Sequence, residues 1–175
     1  MIQTIIKYPD ERLRQVSKPT DDWGVIAQLA PDLIETMLAN RGIGLAAVQI
    51  GVPVTVLVVD MGVQYTDNEN GWETKNSQPQ VFINPVILKA EGTVQFTEGC
   101  LSVPGIYEMV KRHKIIELEW FDLQGKKVAR RIGEDGEQLL SICVQHEMDH
   151  FSGKLFIDKL SLIKKEMLRK KLRAL

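Results

Sequence analysis

The sequence predicts an α+β fold, with antiparallel strands surrounding a central helix that carries His146-Glu147-Met148-Asp149-His150, a further helix toward the N-terminus and a C-terminal helix. Three observations predict it. Apolar residues in 25–40 recur at the roughly 3.6-residue spacing of an amphipathic helix, and 137–152 and 161–173 also have helical patterns. Residues 54–131 break instead into short runs rich in Val, Ile and aromatics, punctuated by Gly, Asn and Asp. Helices at both ends of a block of strands make an α+β arrangement. A chain of 175 residues suits a single domain, 1–175, with a substantial core.

Composition narrows the functional classes. Apolar content of 44% and charged content of 26% are those of a globular protein, which argues against disorder. A net charge of −1 gives no overall reason to expect specific DNA binding or attraction to an anionic membrane. Residues 1–14 lack the apolar run of a secretory signal, and no stretch approaches the roughly 18 apolar residues of a membrane span. Two cysteines make no disulfide framework. A cytoplasmic protein is expected.

In order along the chain, Pro9-Asp10-Glu11 reads as a turn or short helix start. In the helix of 25–40, Pro31 threatens a kink or a later start, and Asn40-Arg41-Gly42 stops it. Residues 54–60 are almost wholly aliphatic, as in a buried strand. The polar stretch 61–80 reads as a surface loop or hairpin excursion. Residues 81–88 have strand composition, with Pro85 implying an edge or a bulge. Further strands fall at 92–96, 106–111, 114–121 and 127–131, the last two joined by a turn at 123–126. Gly153 is placed to end the helix of 137–152, and a final amphipathic helix is expected over 161–173.

The helix of 137–152 carries the strongest chemical signal. His146 and His150 stand four positions apart, on one face about one turn from each other, so both imidazoles can reach one cation. Glu147 lies beside them, placed to accept a proton from water. This is the H-E-x-x-H pattern of hydrolytic metal sites. Such sites take a third protein ligand. Asp158 and Glu166 lie downstream, and His113 upstream sits in a cationic turn. Cys100, in Glu98-Gly99-Cys100-Leu101-Ser102, is either a soft thiolate ligand or a small buried hydrophobe. Cys143 falls in an apolar helical segment, where packing along a pocket wall suits it. Gly42-Ile43-Gly44-Leu45-Ala46-Ala47-Val48-Gln49 fits no phosphate-binding fingerprint. It reads either as a tight loop or as backbone brought close to a ligand, with the Gln49 amide as donor.

Taken together, these three segments resemble the hallmarks of the peptide deformylase family, G-x-G-x-A-A-x-Q, E-G-C-x-S and H-E-x-D-H, in that order. The resemblance runs from Tyr8-Pro9-Asp10-Glu11-Arg12-Leu13 to the C-terminal helix. It implies an enzyme that removes the formyl group from the N-terminal formylmethionine of new polypeptides. It implies Cys100, His146 and His150 as ligands of one divalent metal ion, Fe2+ natively, with Zn2+, Ni2+ or Co2+ as substitutes. By the same resemblance Glu147 is the proton acceptor, and the Gln49 amide with the Leu101 backbone N–H stabilises the developing oxyanion. Peptide backbone would pair beside Ile43, Gly44 and Gly99, and the methionine pocket would draw on Phe96, Leu139, Ile142 and Cys143. Glu98 lies near that wall, either there for substrate or as a structural carboxylate with Arg112 as its cation. Many bacterial relatives carry an arginine where this chain has Tyr107, and the 61–80 excursion is longer than in compact members. The expected enzyme is a monomer.

Lys164, Lys165, Arg169, Lys170, Lys171 and Arg173 oppose Glu166 alone in 161–175, so the C-terminal basic helix is cationic although the whole chain is slightly acidic. In some deformylases this helix docks on the ribosome, a second partner the resemblance implies. The alternative is a solubilising helix whose last cations complement its dipole. A general endopeptidase is a weaker reading, since no downstream ligand motif is present. Retention of Glu147 and Gln49 argues against a decayed, purely binding relative.

Overall fold

The computed structural model describes every residue except Asn70 and Ala174. After a 3-10 turn at Glu11–Arg14 capped by Asp10, α1 spans Trp23–Ala39, its first turn capped by the Asp22 carboxylate accepting from Val25 N. Pro31 neither delays nor ends α1. It lies on the exposed face, where water can serve the carbonyl its missing N–H leaves free. Asn40 closes the helix and Arg41 follows at φ 55°.

Among the described residues, nine strands follow. A five-stranded antiparallel sheet has the order β1 (Gly44–Ala46), β2 (Val56–Val59), β5 (Gln80–Glu91), β8 (Ile115–Phe121), β9 (Lys127–Ile132). Two hairpins stand apart from it: β3 (Gln64–Asn68) with β4 (Gly71–Lys75), and β6 (Val94–Cys100) with β7 (Val103–Arg112). Two helices complete the chain, α2 (Gln138–Phe151) and α3 (Leu162–Leu172).

The aliphatic run in β2 has a direct cause. Leu57 and Val59 join a core with Leu140, Cys143, Val144 and Phe151 of α2, while Val56 and Val58 join another with Ile26, Leu29, Leu33 and Met37 of α1. A strand covered on both faces gains from apolar residues at every position. In β8, by contrast, only alternate residues such as Ile116, Leu118 and Trp120 are buried. Pro85 sits in an interior strand and is accommodated by a bulge between Ile83 and Val86. There Asn84, at φ 49°, bonds Thr20 through both ends of its amide.

The polar excursion is the β3–β4 hairpin, anchored at its base by buried Asp60. That carboxylate accepts from Gly62 N, Val63 N, Ser77 Oγ and Gln78 N at 2.7–3.0 Å. The strands expected at 92–96 and 106–111 are longer than composition suggests. They run to Cys100 and from Val103, turning Leu101-Ser102 into a tight connection. A third core joins β7 residues Val103, Ile106 and Val110 to Phe156, Ile157 and Leu168.

The final helix departs from expectation. Its apolar side chains do not form one buried stripe: Leu168 packs inward, whereas Leu162, Ile163 and Met167 are 84%, 76% and 77% exposed. Among the described residues, no helix is long and apolar enough to cross a membrane.

Candidate active site

Helix α2 faces the five-stranded sheet with its apolar side and the β6–β7 hairpin with His146 and His150. Cys100 Sγ, at the end of β6, lies 3.5 Å from His150 Nε2. The donor atoms of Cys100, His146 and His150 all fall within 4.8 Å of one another. The two rings stand nearly perpendicular, 5.3 Å between centres, and His146 stacks on Phe156. His113 is exposed on the far side of α2, its backbone bonded to the Gln145 amide. Asp158 pairs with Arg14 and Glu166 with Arg169, so neither joins the cluster.

His146 is oriented from behind. Its Nδ1 lies 2.7 Å from Glu98 Oε2, which directs Nε2 at the cluster. Arg112 grips the same carboxylate with two bonds of 2.6 and 2.7 Å and also reaches Asp149, which Lys159 contacts at 3.1 Å. Both Glu98 oxygens are therefore engaged, and Arg112 is the cation its sequence context suggested. The reach from Arg112 to Asp149 crosses 37 positions and has no periodic signature.

Burial pushes the Glu147 carboxyl up to about 7. Burial also raises the Cys143 thiol and holds His150 well below the ordinary imidazole range. His146 goes the other way: burial opposes its charge, but hydrogen bonds with Cys100 and Glu98 outweigh it. The donor set fits a divalent cation. A thiolate and two imidazoles suit a borderline transition metal, and Glu147 Oε2, 3.9 Å from His150 Nε2, is buried with no hydrogen-bond partner among the described residues.

In front of the cluster opens a cavity of about 460 Å³. Its walls include Ile43, Gly44 and Gln49 from one side and Phe96, Glu98, Gly99 and Leu101 from the other. Leu139, Ile142 and Cys143 of α2 close it, with His146 and Glu147 at the floor. Every residue named from sequence as binding or catalytic thus lines one cavity, with His150 buried just behind it at 1% exposure.

At Gly44 and Gly99 of the cavity wall a side chain could be added only by displacing a neighbour. A side chain on Gly44 would meet Glu147 Oε1 at 2.5 Å and Cys143 Sγ at 2.8 Å, and one on Gly99 would meet the Tyr107 ring at 2.6 Å. Gln49 is buried, its amide donating to Ser102 Oγ at 3.0 Å and toward Cys100 Sγ at 3.6 Å while its oxygen accepts from Ala46 N. Ser102, the last position of the E-G-C-x-S pattern, serves here as the acceptor that holds Gln49, whereas Lys7 and Arg41 line the cavity although nothing in their spacing marks them in the sequence.

Known proteins resemble this chain over nearly its whole length. The family model described as polypeptide deformylase matches residues 2–166. A peptide deformylase of Alkalilimnicola ehrlichii is 44% identical across 99% of this chain and 90% of the relative. The crystal structure of a peptide deformylase from Legionella pneumophila superposes with a TM-score of 0.84 at 39% identity, covering 99% of this chain and 95% of that one. A class I type b peptide deformylase from Acinetobacter baumannii, solved with Met-Ala-Ser bound, is 27% identical with a TM-score of 0.75, over 91% and 99% of the two chains. With the family match spanning nearly its whole length, the chain belongs to the polypeptide deformylase family of enzymes.

Proposed function

We propose that the chain is a single catalytic domain of 1–175, built around α2 as its central helix, that hydrolyses the formamide of N-formylmethionyl nascent peptides and releases formate. The observation that carries this reading is the convergence of Cys100, His146 and His150 beside a buried carboxylate with one oxygen unpartnered. Those three residues would hold one divalent ion, Fe2+ natively, with Zn2+, Ni2+ or Co2+ able to substitute. When bound, such an ion would act as a Lewis acid, lowering the pKa of water toward about 7.

The protein's own groups do the rest. Glu147 holds the attacking water and takes its proton as the water oxygen bonds to the formyl carbon. Negative charge moves to the formyl oxygen. The Gln49 amide hydrogen now directed at Cys100 Sγ, and the Leu101 backbone N–H, stabilise it there. Glu147 then delivers the proton to the leaving amine nitrogen as the carbon–nitrogen bond breaks. The substrate backbone lies along Ile43, Gly44 and Gly99. The methionine side chain enters the apolar end of the cavity between Phe96, Leu139, Ile142 and Cys143. Glu98, fixed by Arg112, shapes that wall and aims His146. The Met-Ala-Ser held by the Acinetobacter relative is a peptide of the kind such a cavity suits.

The enzyme works as a cytoplasmic monomer. Lys170, Lys171 and Arg173 of the tail are exposed, which suits docking on the ribosome. Reversing the three charges should weaken co-sedimentation with ribosomes, and unchanged binding would remove that partner.

The main test is anaerobic purification, metal analysis and turnover of a formyl-Met peptide by wild type and Glu147→Ala. Loss of the base should slow turnover by about 10²–10⁴-fold. If the metal-replete wild type is no faster than Glu147→Ala, the reading fails. Cleavage of an internal peptide bond in preference to the formamide would point instead to an endopeptidase.

A further inference from the structure

The β3–β4 hairpin lies apart from the reacting groups, yet it grips the rim of their cavity. Its Trp72 ring lies under the Arg41 guanidinium, 5.2 Å from the ring centre, and its Asp67 pairs with the same group. Tyr65 packs edge-on against Trp72 and donates its hydroxyl to the Gly42 carbonyl at 2.5 Å. The hairpin therefore holds two consecutive residues, Arg41 through its side chain and Gly42 through its backbone. Buried Asp60 ties the hairpin base to the residue just before β1 as well, its N–H donating to the Ile43 carbonyl at 2.9 Å.

Arg41 and Lys7 both line the cavity and both are exposed. The acids that line it, Glu98 and Glu147, are buried at 5% and 4% exposure and engaged with Arg112 and the metal ligands. With Arg41 partly offset by Asp67 and Lys7 beside it, the outer cavity keeps a cationic balance above a floor whose acids face inward. Tyr107, on the opposite wall, brings only a neutral phenol.

We propose that Arg41, positioned by Trp72 and Tyr65 of the hairpin, is a specificity determinant that favours formylmethionyl peptides with acidic side chains just after the methionine. This rests on the deformylase reading above. With the methionine in the apolar end, an extended peptide advances about 3.3 Å per residue, so the next few side chains pass the rim that Arg41 and Lys7 border. The aromatic face beneath the guanidinium limits its freedom, so less entropy is lost when a carboxylate pairs with it. Asp67 is 78% exposed and competes with the substrate carboxylate for Arg41.

The test compares kcat/KM for formyl-Met tripeptides that differ only in carrying Asp, Ala or Lys after the methionine. At low ionic strength the wild type should favour Asp over Lys by about two- to fivefold, the size of a solvent-exposed ion pair. High salt should flatten the preference. Arg41→Glu should reverse the order, Asp67→Asn should enlarge it, and Trp72→Ala should shrink it while the Ala peptide keeps its rate. Equal wild-type rates on the Asp and Lys peptides at low salt, or an unchanged order in folded Arg41→Glu, would overturn the proposal. Failure to turn over any of the three would instead overturn the deformylase reading, and this inference with it.

Discussion

Gly44 carries no side chain because Glu147 Oε1 already occupies the place where one would begin. A methyl group there must push the carboxylate, Cys143 or the β1 backbone, and displacing the base of the proposed mechanism by about 1 Å can cost about 10²-fold. Gly44→Ala should therefore lose about two orders of magnitude in kcat/KM on a formyl-Met peptide while still melting cooperatively. Near-normal turnover would mean that Glu147 has room to spare. Glu98 makes a second case. Glu98→Gln leaves buried Arg112 and His146 with a neutral partner, at a cost on the order of 3 kcal/mol. Loosening of a ligand's support typically weakens metal retention by about 10–100-fold. Chelator competition measures this independently of turnover, and unchanged retention would show that the hydrogen bond to His146 is dispensable.

The elements differ in how openly the sequence announces them. His146 and His150 are legible because helical periodicity alone puts them together, and β2 is legible because two cores demand apolar residues at successive positions. The bond from Arg112 to Asp149 and the hold of Trp72 on Arg41 depend on tertiary approach, which no local pattern encodes. The extent of β6 is hidden for another reason. Glu98-Gly99 is poor strand composition, kept in place by cross-strand pairing and by the carboxylate's partners. Helix α1 shows tertiary context overriding propensity. Its Leu29, Leu33 and Met37 stripe holds it through Pro31, which faces water. Pro31→Ala should restore a helical N–H and raise stability by about 1–2 kcal/mol, less than the roughly 3 kcal/mol propensity gap because the present helix has already adapted. A lower melting temperature would mean that the proline's rigidity matters more than its lost bond.

For the molecule as a whole, acid sensitivity follows from paired surface carboxylates. Hydrogen bonds from Arg131 and Lys89 hold Glu91 down to about 2, and Arg12 does the same for Asp10. Burial works to raise Asp158, but Arg14 outweighs it and the net shift is downward. In the unfolded chain such groups titrate near about 4, so below that the unfolded state binds more protons. Their contribution is present above the ordinary carboxylate range and is lost as pH falls toward 2. The melting temperature should decline steadily below about pH 4.5, and Arg131→Met should show a shallower decline because Glu91 is released. Parallel curves for the two proteins would remove Glu91 from the account.

The three clustered donors do not come from one piece of the protein. His146 and His150 belong to a helix packed on the five-stranded sheet, whereas Cys100 arrives on a hairpin with its own small core, fifty positions from His150. The imidazoles can assemble as soon as α2 forms, but the sulfur joins them only when the two cores have docked. If the proposed site takes cobalt, a thiolate-to-cobalt charge-transfer band would serve as a clock for the last step of assembly, silent while the helix alone is folded and appearing when the hairpin closes.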